Sequence, residues 1–344
     1  MDFGLALSAQ LHTYPMAAAT YRRPSQAWLG QTLPEGFREY LRPSAEVRGR
    51  WLDAKLQSLV EVEGAEVIEI ANGHGIQALL GYQPQPWDTQ HFGTSCAKLG
   101  PMCTPLVASR RDSEALMRAL LDRAVERSRA AGTKVLQRRL LASRFVEIGV
   151  LEDLGFHMVD NVVTLTAATS AITANGVACP IGIAFRLVRE SDREVLAAMT
   201  TGAFPCSRFV TDRILNSEKG RALYVVWLER LIDAAVGDEP GRPEIIVACR
   251  GDVPVGYCAY RIDASLQADI GSTLAAIELI VVSSEERGAG LGVALLQAAG
   301  RKAGAAGADI LESSTWSGQK AALAANQAAG LRVRETLLTY HRYL

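Results

Sequence analysis

Apolar residues at helical spacing recur twice along the chain, in stretches that resemble each other. "LLDRAVERSRAAGTKVL" begins at Leu120 and "LLQAAGRKAGAAGADIL" at Leu295. Each reads as an amphipathic helix that ends in Ala-Gly and leads into a short strand. Further on, "VLEDLGFHMVDNVVTL" contains Gly155 and "AANQAAGLRVRETLLTY" contains Gly330, each followed by a strand-like run. The pairs 120/295, 132/307 and 155/330 share one offset of 175 residues. One match would mean little, but three at one offset predict two copies of a βαβαβ unit. The glycines fall just past helix ends, where a left-handed backbone is needed.

The second half carries more pattern than the repeat alone. "IAFRLVRES" predicts a strand and turn, "DREVLAAMTTGAF" a helix, and "RALYVVWLERLIDAAV" a helix with Leu223, Trp227 and Leu231 on one face. "EIIVACRG" and "VGYCAYRID" predict strands joined by "GDVP", and "AAIELIVV" a further strand. Hairpins first and β-α-β later imply an α/β fold with a mixed sheet. The small and polar residues 166–180, closing on Pro180, mark the expected boundary. Two domains follow, 1–168 and 180–344, the first a degenerate copy of the second. A weaker loop is expected at Asp238–Pro243.

The copies differ at one place. "RGAGLG", Arg287 to Gly292, lies between strand "AAIELIVV" and helix "LGVALLQAAGRKA"; subtracting 175 lands on "DSEALM", which has no glycine. A helix start presents free N–H groups and the positive end of the helix dipole, which suits a phosphate. Glycines let that backbone approach a ligand. A P-loop would end in Gly-Lys-Ser/Thr, and this loop ends Leu291-Gly292-Val293. A dinucleotide fingerprint needs G-x-G-x-x-G, and Val293 stands where its last glycine should be. Glu312 on the next strand suits that fingerprint. Against it stand "SSEE" between strand and glycines, only 52 residues after Gly292, and the preceding antiparallel hairpins.

Composition narrows the classes. With 344 residues, 49% hydrophobic and 21% charged, the chain reads as an ordinary globular protein of two domains. A net charge of −1 argues against a general nucleic-acid binder. No apolar run reaches the roughly 18 residues of a membrane span, and no basic segment precedes the N-terminal apolar stretch. Six cysteines without a C-x-x-C pair read as free thiols in a reducing cytoplasm, so a cytoplasmic location is expected. Five histidines without H-x-x-x-H spacing suggest no metal site.

The stretch "VVSSEERGAGLGVALLQAA" resembles the acetyl-CoA signature of the GNAT N-acetyltransferases, [RQ]-x-x-G-x-[GA], which Arg287, Gly290 and Gly292 match. The resemblance implies two tandem GNAT-like domains and acetyl-CoA as coenzyme. Its diphosphate would be held by the backbone of Arg287, Gly288, Ala289, Gly290, Leu291 and Gly292. The strand residues Ile280, Val281 and Val282 would receive the pantetheine arm. "PWDTQHFG" from Pro86, "AFPCSRFVTD" from Ala203 and the ending "TYHRYL" add a resemblance to the dTDP-fucosamine acetyltransferase group. This covers roughly residues 65–344 and implies the primary amine of a small acceptor, foremost an amino-sugar nucleotide. An antibiotic precursor, an amino acid, a carrier-protein-bound aminoacyl group or a non-catalytic CoA-binding role stay open. No nucleic-acid or membrane partner is implied, and an oligomer is compatible.

Amine acetylation needs a base at the attacking nitrogen. Glu278 lies four residues before Val282, and strand alternation puts it on the face of Ile280 and Val282. The resemblance assigns an acid to this point; a solvated strand end is the other reading. The family's thiolate-protonating tyrosine would fall at position 326, which is Asn326. Asparagine protonates no thiolate but could hydrogen-bond the pantetheine. Tyr340 is the substitute acid, or else an aromatic of an edge strand. Without an acid, a thiol with a pKa of about 8.5 still leaves as thiolate. For the acceptor, Arg208, Phe209 and Asp212 match a family segment beside the cleft. Arg208 could bind phosphate bidentately or form a surface salt bridge. Trp87, beside Asp88 and His91, could bind a sugar or pack in a turn.

Overall fold

The computed structural model describes residues 10–15, 24–32, 38–59, 61–73, 75–106, 109–174, 179–237 and 241–344. Residues 238–240 of the expected weaker loop lie outside them. The contacts divide the chain into two compact units. One comprises residues 1–161 and 336–344, the other 162–335.

The first unit runs β1 (Gln10–Pro15), α1 (Gln26–Gly30), α2 (Ala45–Ser58), β2 (Glu66–Asn72), β3 (Gly75–Pro84), α3 (Pro86–Phe92), β4 (Cys96–Cys103), α4 (Arg110–Ala130), β5 (Val135–Leu141), α5 (Phe145–Asp153) and the start of β6 (His157–Ala168). The second takes up the rest of β6. It continues with α6 (Thr169–Ala174), β7 (Ile183–Leu187), α7 (Arg193–Thr200), α8 (Arg208–Thr211), α9 (Ser217–Val236), β8 (Glu244–Arg250), β9 (Val253–Asp263) and α10 (Gln267–Ile270). It ends with β10 (Leu274–Val282), α11 (Leu291–Ala305), β11 (Ile310–Trp316), α12 (Lys320–Ala328) and the start of β12 (Arg332–Tyr343).

Both units have one sheet topology. In the first, β1, β2, β3 and β4 pair antiparallel in turn, β4 pairs parallel with β5, and residues 337–343 of β12 pair antiparallel with β5. In the second, β7 to β10 pair antiparallel in turn, β10 pairs parallel with β11, and residues 162–168 of β6 pair antiparallel with β11. The 175-residue offset is kept residue for residue between β5 and β11, α5 and α12, and β6 and β12. The last two are the strands that change units, so each half lends the final strand of the other's sheet. A cut at 168/180 therefore divides the sequence differently from the contacts. The stretch expected to be a linker contains the end of β6 and all of α6. There Gly300 and Gly304 of α11 face Ile172 and Thr169, and a Cβ at Gly300 would lie 2.9 Å from Ile172. Close helix packing explains those glycines.

Each sheet is covered on both faces. In the first unit Leu116, Leu120, Leu121 and Ala124 of α4 pack on β2–β5, while α1 and α2 cover the other face through Leu29, Leu52 and Leu56. In the second, Leu295, Leu296 and Ala299 of α11 pack with Ile246, Cys258 and Ala275. On the opposite face Leu196 of α7 and Leu228, Leu231 and Ile232 of α9 pack with Tyr257, Leu279 and Val281. Burial of each such side chain contributes about 1.5–3 kcal/mol. α9 departs from the face expected for it: Trp227 is 37% exposed, and Leu228 takes its place in the buried stripe. Among the described residues, no helix is long and apolar enough to cross a membrane.

Candidate active site

In the second unit β10 and β11 pair over three residues only, Leu274–Ala276 with Ile310–Glu312. β10 then continues to Val282 and β11 to Trp316 without pairing to each other, because β10 stays registered with β9 and β11 with β6. The two strands diverge, and the backbone of 277–282 keeps its polar groups on that side. Ile280 and Val282 turn, half-buried, toward the core under α11 and α12, while Val281 is buried on the other face.

The glycine loop starts where β10 ends. Ser283 N–H donates to Val255 O at 2.9 Å, and Arg287 Nε donates back to Val282 O at 3.2 Å. Gly288 and Gly290 have φ of 81° and 85°, a conformation that suits glycine alone at little cost. Gly290 is the N-cap of α11 and offers no side chain to the helix. The N–H groups of residues 288–293 donate no well-formed hydrogen bond among the described residues, although 287–290 trace a turn. A helix start always leaves a few orphan donors, and here the loop extends them to six in succession. Together with the dipole end, this is an arrangement that suits an anion. Gly292 packs the start of α11 at 3.7 Å from Ala325 of α12, measured from a Cβ built on it.

Asn326 of α12 is 2% exposed. Its Nδ2 donates to Ala322 O at 2.8 Å, one turn back, and its Oδ1 has no hydrogen-bond partner among the described residues. A buried acceptor left unpaired costs about 1–3 kcal/mol, which a ligand N–H would recover.

Glu278 departs from the sequence expectation. It is the extra residue of a β-bulge, since Ile277 pairs with Tyr260 and Leu279 with Ala259. The bulge breaks the alternation. The Glu278 carboxylate accepts from Arg261 Nε at 3.0 Å. Arg261 shares a face with Tyr257 and Ala259, which pack under α7 and α9. Glu278 thus lies on the face of Leu279 and Val281, not that of Ile280 and Val282. Bulges re-aim side chains in this way.

Tyr340 is corrected more fully. It belongs to the first unit, buried in its core, and its hydroxyl donates to Glu152 at 3.0 Å. Burial, helped by that carboxylate, pushes its pKa up to about 12. It is a core tyrosine of the first unit, with its hydroxyl engaged by Glu152. Trp87 is also in the first unit, half-buried on α3, where it stacks on His91 at 4.9 Å.

The segment 203–212 lies on the α9 side of the second unit. Ser207 caps α8 and accepts from Tyr224 Oη at 2.7 Å; Phe204 stacks on Tyr224 at 4.1 Å. Arg208 lies over the Phe209 ring, 4.2 Å from its centroid. Asp212 accepts from the N–H groups of Ile214 and Leu215, so its carboxylate shapes the turn. Phe204 and Tyr224 pack against the core that includes Leu279 and Val281, the face that carries Glu278.

Two arginines escaped the sequence reading. Arg261 holds Glu278, and Arg250 holds Glu286 through two hydrogen bonds of 2.6 and 2.7 Å. Neither pair has a local sequence signal, because 17 and 36 residues separate the partners.

The acetyltransferase (GNAT) family model matches residues 212–330. Those residues form a GNAT acetyltransferase domain. A dTDP-fucosamine acetyltransferase from Escherichia coli O6:H1 is 28% identical over 207 residues, covering 60% of this chain and 81% of that protein. The chain is by these likenesses an N-acetyltransferase enzyme. Two solved structures share its fold. A GCN5-related N-acetyltransferase from Sphaerobacter thermophilus has a TM-score of 0.61 at 15% identity, covering 97% of this chain and 95% of that one. A tandem GNAT protein from the clavulanic acid biosynthesis pathway has a TM-score of 0.62 at 14% identity, covering 97% and 98%. The fold class is therefore two GNAT-like α/β units in tandem, the first without the glycine loop.

Proposed function

We propose that the second unit binds acetyl-CoA with its diphosphate on the amides of residues 288–293 and its pantetheine arm between the diverging β10 and β11, and acetylates the primary amine of a small acceptor. The observation that carries this is the run of unpaired N–H groups behind Arg287, followed by the orphan Oδ1 of Asn326. Both fit the group: donors meet the anion, and the acceptor meets an amide N–H. When bound, acetyl-CoA supplies an acetyl group activated as a thioester.

The chain's own residues then have separate tasks. Arg287 and the loop amides bind the diphosphate, and Asn326 orients the arm. Glu278 takes the proton from the acceptor ammonium, directly or through one water, from a carboxylate held in place by Arg261. Arg208 and Phe209 border the acceptor, with Asp212 fixing their turn. Tyr340 has no part, so the thiol leaves as thiolate or takes a solvent proton. The acceptor we favour is an amino-sugar nucleotide, supported by the activity named for the 28% identical relative.

The test is thiol release from acetyl-CoA over a panel of nucleotide amino sugars, other sugar amines and amino acids. Release with a nucleotide 4-amino sugar is expected. Release with other amines alone would replace the acceptor class. Tight acetyl-CoA binding without release over the panel would reject turnover. Glu278→Gln should lower kcat by about 10²-fold or more with little change in acetyl-CoA affinity; a fully active variant removes Glu278 from the mechanism.

A further inference from the structure

The glycine loop carries a charge that works against an anion. Residues 284–292 hold Glu285, Glu286 and Arg287, a formal sum of −1. A carboxylate two residues before Gly288 repels a diphosphate seated on the amides that follow. Arg250, the last residue of β8, alters this. Its Nε and Nη2 donate to the two oxygens of Glu286 at 2.6 and 2.7 Å, and its Nη1 donates to Ile181 O at 3.0 Å. The Glu286 carboxyl is held below the usual range, first by that hydrogen bond.

We propose that Arg250 is a positioning residue that acts on the coenzyme through Glu286: it holds and neutralises the carboxylate that stands two residues before the open amides. This rests on the coenzyme reading above. Stability alone accounts poorly for the pair. Its arginine is about half exposed, and solvent screens pairs of that kind so that they add little to stability. The two-pronged geometry needs a guanidinium, since a lysine ammonium holds one oxygen at a time.

The experiment is calorimetric titration of the full-length protein with acetyl-CoA, for wild type, Arg250→Met and Arg250→Met/Glu286→Gln. Arg250→Met should weaken binding roughly three- to tenfold at low salt, and the difference should shrink as ionic strength rises. The double variant should return to within about twofold of wild type, because the repelling charge is gone. Rescue by charge removal separates this role from a structural one, which Glu286→Gln would not repair. Unchanged binding by Arg250→Met, or a double variant as weak as the single, overturns the proposal. A wild type that binds no acetyl-CoA removes the coenzyme reading and this inference with it.

Discussion

The two units begin with the same divergence of strands and close it in opposite ways. In the first, β4 and β5 pair over Cys96–Leu99 and Val135–Arg138 before separating. Arg138, 1% exposed, donates its Nη1 to Leu99 O at 3.4 Å and its Nε to Glu147 of α5 at 2.6 Å. Arg144 meets the same carboxylate at 2.5 Å. Burial alone would push the Glu147 carboxyl up, but the two guanidinium groups outweigh it and hold it below the usual range. At the equivalent positions, 175 further on, the second unit has Ser313, Gln319 and Ala322. One unit fills its divergence with buried charge; the other has no charged side chain at those three positions. The helices that follow differ likewise. α4 starts at Arg110, the equivalent of position 285, and is capped by Ser109; α11 starts six residues later and is uncapped. A duplicated fold thus has one copy whose helix start carries a side-chain cap and one whose helix start carries none.

The largest effect should come from Glu147→Ala. It leaves two buried arginines without their carboxylate, a loss of about 3–5 kcal/mol. A much lower Tm and protease-sensitive first unit are expected. Replacing Arg138, Arg144 and Glu147 together by Met, Met and Leu should be near neutral, because desolvation is relieved along with the pair. That triple variant should still bind one acetyl-CoA per chain in native mass spectrometry, since the start of α4 is capped by Ser109 and carries no glycine loop; two would break the comparison. Acid should act like a mild Glu147→Ala. A carboxyl with a depressed native pKa contributes stability above its unfolded value, and that contribution is lost as pH falls through the native value. Acid titration should therefore destabilise wild type more than the triple variant.

Gly290→Val comes next. A β-branched residue at φ of 85° is strained, yet a Cβ there meets nothing within 4 Å of the protein. Calorimetry should show acetyl-CoA affinity down by about 100-fold, equivalent to roughly 2.8 kcal/mol, with the fold retained. Unchanged affinity would move the coenzyme elsewhere. Asn326→Leu should weaken binding several-fold while raising stability by about 1 kcal/mol, because it removes an unpaired buried acceptor.

The repeat was legible because helix ends and strand lengths keep their spacing when a unit is copied: Gly132, Gly155, Gly307 and Gly330 all adopt positive φ. The loop was legible because glycine pairs with backbone geometry directly. What stayed hidden depends on pairing across the sheet. Tyr340 looks like part of the second half in sequence, but β12 leaves that unit at residue 336. Glu278 was placed by alternation, and one bulged residue reversed the face. The Arg138–Glu147–Arg144 cluster is invisible in the pattern, since no periodicity distinguishes a buried arginine from a solvated one.

The smallest effect sharpens the comparison most directly. Ser109 Oγ accepts from Asp112 N–H at 3.2 Å and donates to the Asp112 carboxylate at 2.7 Å, so the start of α4 carries its own side-chain cap. Ser109→Ala removes that cap and should cost about 1 kcal/mol, a fall of roughly 2–4 °C in Tm. Acetyl-CoA affinity and stoichiometry should not change. Freeing one donor does not rebuild the loop: α4 begins in regular helix, without the two left-handed glycines that hold six amides open in the second unit. Should Ser109→Ala instead gain a second coenzyme, the cap rather than the loop would be what separates the units.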